Sequence, residues 1–159
     1  MGWAFAHHPP DGSFKMLRGG CTCGAVRYRL EAPPYDTGWC HCHICQHVSG
    51  AGGMVFTTVE RDAFVVEQGA ERVARFQSTP FGERTFCGGC GAPLTIHVRH
   101  QPDEIDVAAG SLDDPDAVTP GFHLYVEEAP AWAALDDGLP RHDRLRPATR
   151  GLAEGQTEA

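Results

Sequence analysis

Cys21-Thr22-Cys23-Gly24-Ala25-Val26-Arg27-Tyr28-Arg29-Leu30 sets two thiols and a glycine directly ahead of an alternating run. On an extended chain Val26, Tyr28 and Leu30 fall on one side and Ala25, Arg27 and Arg29 on the other, the pattern of a half-buried strand. The same alternation predicts strands over 54–59, 64–67, 72–77, 84–86, 94–98, 105–109 and 122–127, with Gly and Pro clusters between them. Many short strands separated by turn residues predict an all-β, antiparallel domain. One brief helix is expected near His43–Ser49, ended by Gly50.

Working outward, 159 residues suit one compact domain with a real core, so disulfides are not needed for folding. The expected layout is a lead-in over 1–16, a domain over 17–146 and a tail over 147–159. No apolar run approaches the 18 residues of a membrane-spanning helix. The first fifteen residues carry neither a basic leader nor the apolar stretch of a signal peptide, so the expectation is a cytoplasmic protein whose cysteines stay reduced or bind metal. Net charge is −8, and residues 101–140 hold ten acids and no Lys or Arg. Such a segment repels phosphate backbones and reads as a solvated face, so neither nucleic acid nor membrane is an expected partner.

All seven cysteines lie in three clusters: Cys21-x-Cys23-Gly24, Cys40-His41-Cys42-His43-Ile44-Cys45, and Cys87-x-x-Cys90-Gly91. Tetrahedral zinc needs four soft ligands, and each paired unit supplies two. Cys21, Cys23, Cys87 and Cys90 together make a closed four-thiolate site joining an early strand to a late one. Cys40, Cys42 and Cys45 offer three thiols, the protein share of an open, catalytic zinc. A nearby histidine closing the site, a metal-free redox cluster, or ligands shared with the first site are the alternatives. His41, His43 and His47 lie among these thiols; His97, His100 and His123 fall on or beside predicted strands. No nucleophile elbow, phosphate-binding glycine loop or dinucleotide fingerprint is present, and no cysteine lies outside the clusters to serve as a sulfoxide-reductase nucleophile.

Three motifs carry a resemblance. Gly20-Cys21-Thr22-Cys23-Gly24-Ala25-Val26-Arg27-Tyr28, Cys40-His41-Cys42-His43-Ile44-Cys45 and Phe86-Cys87-Gly88-Gly89-Cys90-Gly91-Ala92-Pro93-Leu94 resemble the glutathione-dependent formaldehyde-activating enzyme family. Gly110-Ser111-Leu112-Asp113-Asp114-Pro115, His123-Leu124-Tyr125-Val126 and Pro130-Ala131-Trp132 extend the likeness over residues 17–142. It implies a β-tent of small antiparallel sheets pinned by a structural zinc on Cys21, Cys23, Cys87 and Cys90. It implies a second zinc on Cys40, Cys42 and Cys45, and the addition of a thiol such as glutathione to a small aldehyde such as formaldehyde, whose reverse is a carbon–sulfur lyase reaction. The chain departs at Gln46, where the family often has Arg or Lys; Arg75, Arg84 and Arg99 are candidates to supply the missing cation. The alternative expectation is a non-catalytic, zinc-stabilised module that captures a thiol ligand or a protein partner.

Overall fold

Strand-forming runs dominate the computed structural model, which describes residues 12–146. Residues 1–11 of the expected lead-in and all of the expected tail, 147–159, lie outside the described residues. The small sheet is antiparallel, in the order β1 (Leu17–Gly20), β2 (Arg27–Leu30), β5 (Phe64–Gln68). The large one runs β10 (His123–Leu124), β3 (Tyr35–Cys40), β4 (Met54–Glu60), β9 (Glu104–Ala108), β8 (Pro93–Val98), β7 (Gly82–Cys87), β6 (Val73–Thr79). All its pairings are antiparallel except β10 with β3. The fold is thus all-β, with one helix, α1 (His43–Ser49), and short 3-10 turns. That helix is not long and apolar enough to cross a membrane, nor is any other among the described residues.

Two strands carry no alternation that sequence could use, and one predicted strand is cut short. In β1 and β3 the runs Leu17-Arg18-Gly19-Gly20 and Tyr35-Asp36-Thr37-Gly38 are held in the sheets by their neighbours rather than by propensity, the second interrupted at Asp36, whose φ is 50°. The predicted strand over 122–127 shrinks to His123–Leu124, because Tyr125 takes a left-handed conformation (φ 54°) and a 3-10 turn follows over Val126–Glu128. Gly19 is forced by packing: a Cβ there would lie 2.3 Å from the Tyr28 hydroxyl oxygen. That phenol shares a 2.7 Å hydrogen bond with Ser111, and burial pushes it up to about 12, so it stays neutral.

The large sheet divides the interior in two. On one face Val59, Leu94 and Val107 pack against Val26, Tyr28 and Leu30 of the small sheet, together with Cys21 and Cys87. On the other, Phe56, Ile96 and Ala108 pack with Cys40, Cys45 and Met54 beneath α1. Each fully buried side chain of this size contributes about 1.5–3 kcal/mol. The division follows from strand alternation, since residues an odd number apart, such as Phe56 and Val59, face opposite ways; on β8 the register shift beside Thr95 lets Leu94 and Ile96, two apart, do the same. The acidic segment is not wholly a solvated face: Asp113 pairs with Arg27, Glu127 with Arg144, and Asp106 accepts from Thr58.

Candidate metal centres

The first cluster is built from two matching turns. Cys21 follows β1 and Cys87 ends β7, and each opens a tight reversal closed by a glycine with positive φ, Gly24 (77°) and Gly91 (78°). Gly24 N–H donates to the Cys21 carbonyl and Gly91 N–H to that of Cys87. The Cys21 and Cys87 amides in turn donate to the carbonyls of Val26 and Ala92. The Cys21/Cys23 pair therefore shares a side because the chain turns, not because it is extended as the spacing predicts. Amides also aim at sulfur: Val26 N–H donates to Cys21 Sγ at 3.2 Å and Gly89 N–H to Cys87 Sγ at 3.4 Å.

All four sulfurs lie within 4.8 Å of one another, with Cys21–Cys23 at 3.5 Å and Cys23–Cys87 at 3.7 Å. A tetrahedron with bonds of about 2.3 Å requires sulfurs about 3.8 Å apart, so these residues fit a four-thiolate metal. Burial raises the Cys21 thiol, but the Val26 amide and the neighbouring thiols outweigh it and bring it down to about 6.

Cys40, Cys42 and Cys45 form the second cluster, on the opposite face of the large sheet, and their sulfurs also lie within 4.8 Å of one another. Cys40 is the last residue of β3, paired with Met54. Cys42 is the N-cap of α1, its sulfur accepting from the Cys45 amide at 3.4 Å. Cys45 sits in the first turn, three residues on, where a helix returns to the same side. Gly50 ends the helix in a left-handed conformation (φ 68°), its N–H donating to the Gln46 carbonyl. Three thiols with amide donors beside them fit a soft metal with three protein ligands.

The histidines do not complete this cluster. His41 is buried, its Nδ1 bonded to the Gly52 carbonyl at 2.7 Å and its Nε2 to His123 Nδ1 at 2.8 Å. His123, also buried, reaches the Asp137 carboxylate through Nε2 at 2.9 Å. Carbonyl and carboxylate only accept, so the two outer nitrogens donate and the inner pair shares one proton. Trp39 stacks on both rings, with centroids 5.7 and 6.2 Å away. Burial, chiefly, holds His41 below the usual histidine range. His43 is exposed and stands 3.9 Å from Glu128, and His47 is exposed on the helix.

Gln46, where a cation was sought, braces the loop instead. Its Nε2 donates to the His41 carbonyl at 2.7 Å and the Glu128 carbonyl at 2.9 Å, while the Glu128 carboxylate accepts from the His43 amide at 2.7 Å. Of the three candidate arginines, one arrives. Arg84 donates through Nη2 to Cys45 Sγ at 3.3 Å and is 7% exposed. Arg75 pairs with Glu83, and Arg99 donates to the Pro80 carbonyl. The Cys40 and Cys42 thiols, with Arg84 adding to them against burial, hold Cys45 well below the ordinary thiol range. Asp137 and Glu128 were not singled out from sequence: Glu128 meets Gln46 and His43 across 82 and 85 residues, and Asp137 reaches the loop only through His123, 14 residues before it.

Comparison with known proteins agrees with the motifs. The family model described as "Glutathione-dependent formaldehyde-activating enzyme" matches residues 16–128. A Halomonas elongata protein whose name assigns it provisionally to that family is 32% identical over 128 residues, covering 76% of this chain and 82% of that protein. An uncharacterized lyase of Schizosaccharomyces pombe is 30% identical over 76 residues, 48% of this chain and 53% of the other. A crystal structure of a Rhodobacter sphaeroides protein, solved by structural genomics, overlays with a TM-score of 0.54 at 26% identity, covering 65% of this chain and 91% of its own.

Proposed function

The chain belongs to the glutathione-dependent formaldehyde-activating enzyme family, and from that premise we propose that it is a zinc-dependent carbon–sulfur lyase. It joins a thiol, glutathione or a similar one, to a small aldehyde such as formaldehyde, or runs the reverse. Cys21, Cys23, Cys87 and Cys90 hold a structural zinc, and Cys40, Cys42 and Cys45 a second, working one. Residues 17–146 form the domain, and its reduced thiols suit the cytoplasm.

The observation that carries this reading is a three-thiol cluster with no fourth Cys, His, Asp or Glu ligand grouped with it among the described residues, the nearest imidazole having both nitrogens engaged elsewhere. Zinc there would hold a substrate thiol as thiolate, and three surrounding thiolates, giving the centre formal charge −1, make it a feeble polariser of carbonyls. Cys42 is the least buried of the three. Gln46 and Glu128 hold the Cys42 loop, and the Asp137–His123–His41 chain fixes the residue between Cys40 and Cys42, so the thiols are preorganised.

Two-dimensional exchange NMR of glutathione and formaldehyde tests the pairing. The zinc-loaded protein is expected to raise the exchange rate above buffer, and no gain removes that substrate pair. The engagement of both His41 nitrogens, which takes the imidazole between Cys40 and Cys42 out of use as a general base, favours a second reading: a zinc-stabilised module that binds a thiol or a partner without turnover. A single tenacious zinc per chain supports that module, and two zincs of unequal lability support the enzyme.

A further inference from the structure

A thiol adding to an aldehyde needs two kinds of help, a thiolate and a positive group for the oxygen. The three-thiolate centre suits the first and is poor at the second. Among the described residues one Lys or Arg is buried, and it is Arg84. Arg84 on β7 faces the α1 side of the sheet, three residues before Cys87, which faces the other side. Its Nη2 lies 3.3 Å from Cys45 Sγ, its Nε is buried without a partner, and it makes no ion pair with any described carboxylate. Its guanidinium lies 5.8 Å from the Phe56 ring centroid. A guanidinium stays charged at every working pH, so this cation is permanent and is under-used by the protein.

Arg84 also lines a cavity of about 330 Å³ whose other walls include Val48, Met54, Phe56 and Phe86; Arg75 lines it too, but that guanidinium is exposed and paired with Glu83. Val48 lies one turn beyond Cys45 on α1, and Met54 and Phe56 pack against Cys40 and Cys45. The three cysteines do not themselves line the cavity, but Arg84 reaches both, lining the cavity and donating to Cys45 Sγ. Arg84 is itself buried, and low exposure to water strengthens a guanidinium's pull on a nearby negative oxygen.

We propose that Arg84 is a catalytic residue: it hydrogen-bonds the aldehyde oxygen from the cavity side and stabilises the alkoxide that develops as the thiolate adds. The inference rests on the thiol–aldehyde reading above. In the step, a sulfur lone pair forms the C–S bond and the C=O π pair moves onto oxygen beside Arg84. Water then supplies the proton that makes the hydroxyl, and the hydroxide left takes up the proton the thiol lost on ionising. In the lyase direction the same contact stabilises the same alkoxide before the C–S bond breaks, so Arg84 speeds both directions equally.

The test compares wild type, Arg84→Lys, Arg84→Met and Arg84→Ala, each zinc-loaded, for kcat, KM and zinc per chain. Loss of one preorganised oxyanion donor lowers kcat by about 100-fold or more. Arg84→Met is expected to show that loss with KM for the thiol and zinc content close to wild type. Arg84→Lys recovers part of it, and added guanidinium ion recovers part of the activity of Arg84→Ala. Wild-type activity with Arg84→Met unchanged in kcat overturns the proposal and leaves the thiol–aldehyde reading intact. A loss that follows missing zinc overturns it too, by making Arg84 a support for Cys45. No turnover by zinc-loaded wild type with any thiol–aldehyde pair fails the underlying reading, and the proposal with it.

Discussion

The two cysteine clusters lie on opposite faces of one sheet and are made in opposite ways. The four-thiol cluster joins two turns that repeat each other's hydrogen bonds, Cys21-to-Val26 and Cys87-to-Ala92, and two of its cysteines are exposed. Among the described residues, and apart from the cysteines themselves, its sulfur contacts come from backbone amides. The three-thiol cluster takes one ligand from a strand end and two from the start of a helix. It is surrounded by side chains: Arg84 on Cys45, Gln46 and Glu128 on the loop, and a histidine pair beneath. A symmetric pair of turns fills a tetrahedron and leaves chemistry no room. A strand end and a helix cap supply three thiols and an elaborate setting, the contrast on which the proposed division between a structural and a working centre rests.

Removing a ligand from each cluster is the severest way to break that contrast. Structural zinc in small domains is worth about 10–16 kcal/mol, as much as the whole stability of an ordinary domain, about 5–15 kcal/mol. Cys87→Ala or Cys21→Ala is therefore expected to give insoluble or unfolded protein, read from soluble yield and circular dichroism. Cys42→Ala is expected to leave a folded chain with one zinc fewer by metal analysis. Equal loss of folding in both would erase the division between them.

The histidine chain sharpens the comparison at smaller cost. His123→Leu strands the buried His41 nitrogen, a loss of about 1–3 kcal/mol, and should lower the melting temperature by about 3–10 °C. It should also loosen zinc at Cys40, Cys42 and Cys45 while the four-thiolate zinc stays put, measured as chelator-accessible zinc per chain. Asp137→Asn is milder and carries a pH sign. The Leu139 amide, and then His123, hold the Asp137 carboxyl below its ordinary value. Its contribution is present above the ordinary carboxylate range and disappears as pH falls through the depressed native value. The melting temperatures of wild type and Asp137→Asn should thus differ at pH 7 and converge in strong acid.

Much of this was legible in the sequence, and what was not has a physical reason. Helix α1 was readable to its last residue because Gly50 supplies the left-handed cap that stops it. The cysteine sets were readable because pairs of ligands sit close along the chain. Strands β1 and β3 were hidden by Gly19, Gly20 and Gly38, whose places are set by what packs on them; a Cβ on Gly38 would come within 2.2 Å of the Phe122 ring. The Asp137–His123–His41 chain joins residues 14 and 82 positions apart, a contact made by the parallel pairing of β10 with β3. Arg84 could be suspected as a cation but not placed, because its position depends on which face of β7 turns toward α1.

The central claim, two unlike metal centres on one sheet, is tested most directly by removing zinc in steps. Fully loaded protein is titrated with a mild chelator while zinc per chain and the circular dichroism spectrum are followed together. The account predicts two zincs at the start, release of one with the spectrum unchanged, and retention of the other until the fold is lost. A single zinc at the start, or loss of both in one step with unfolding, would contradict it.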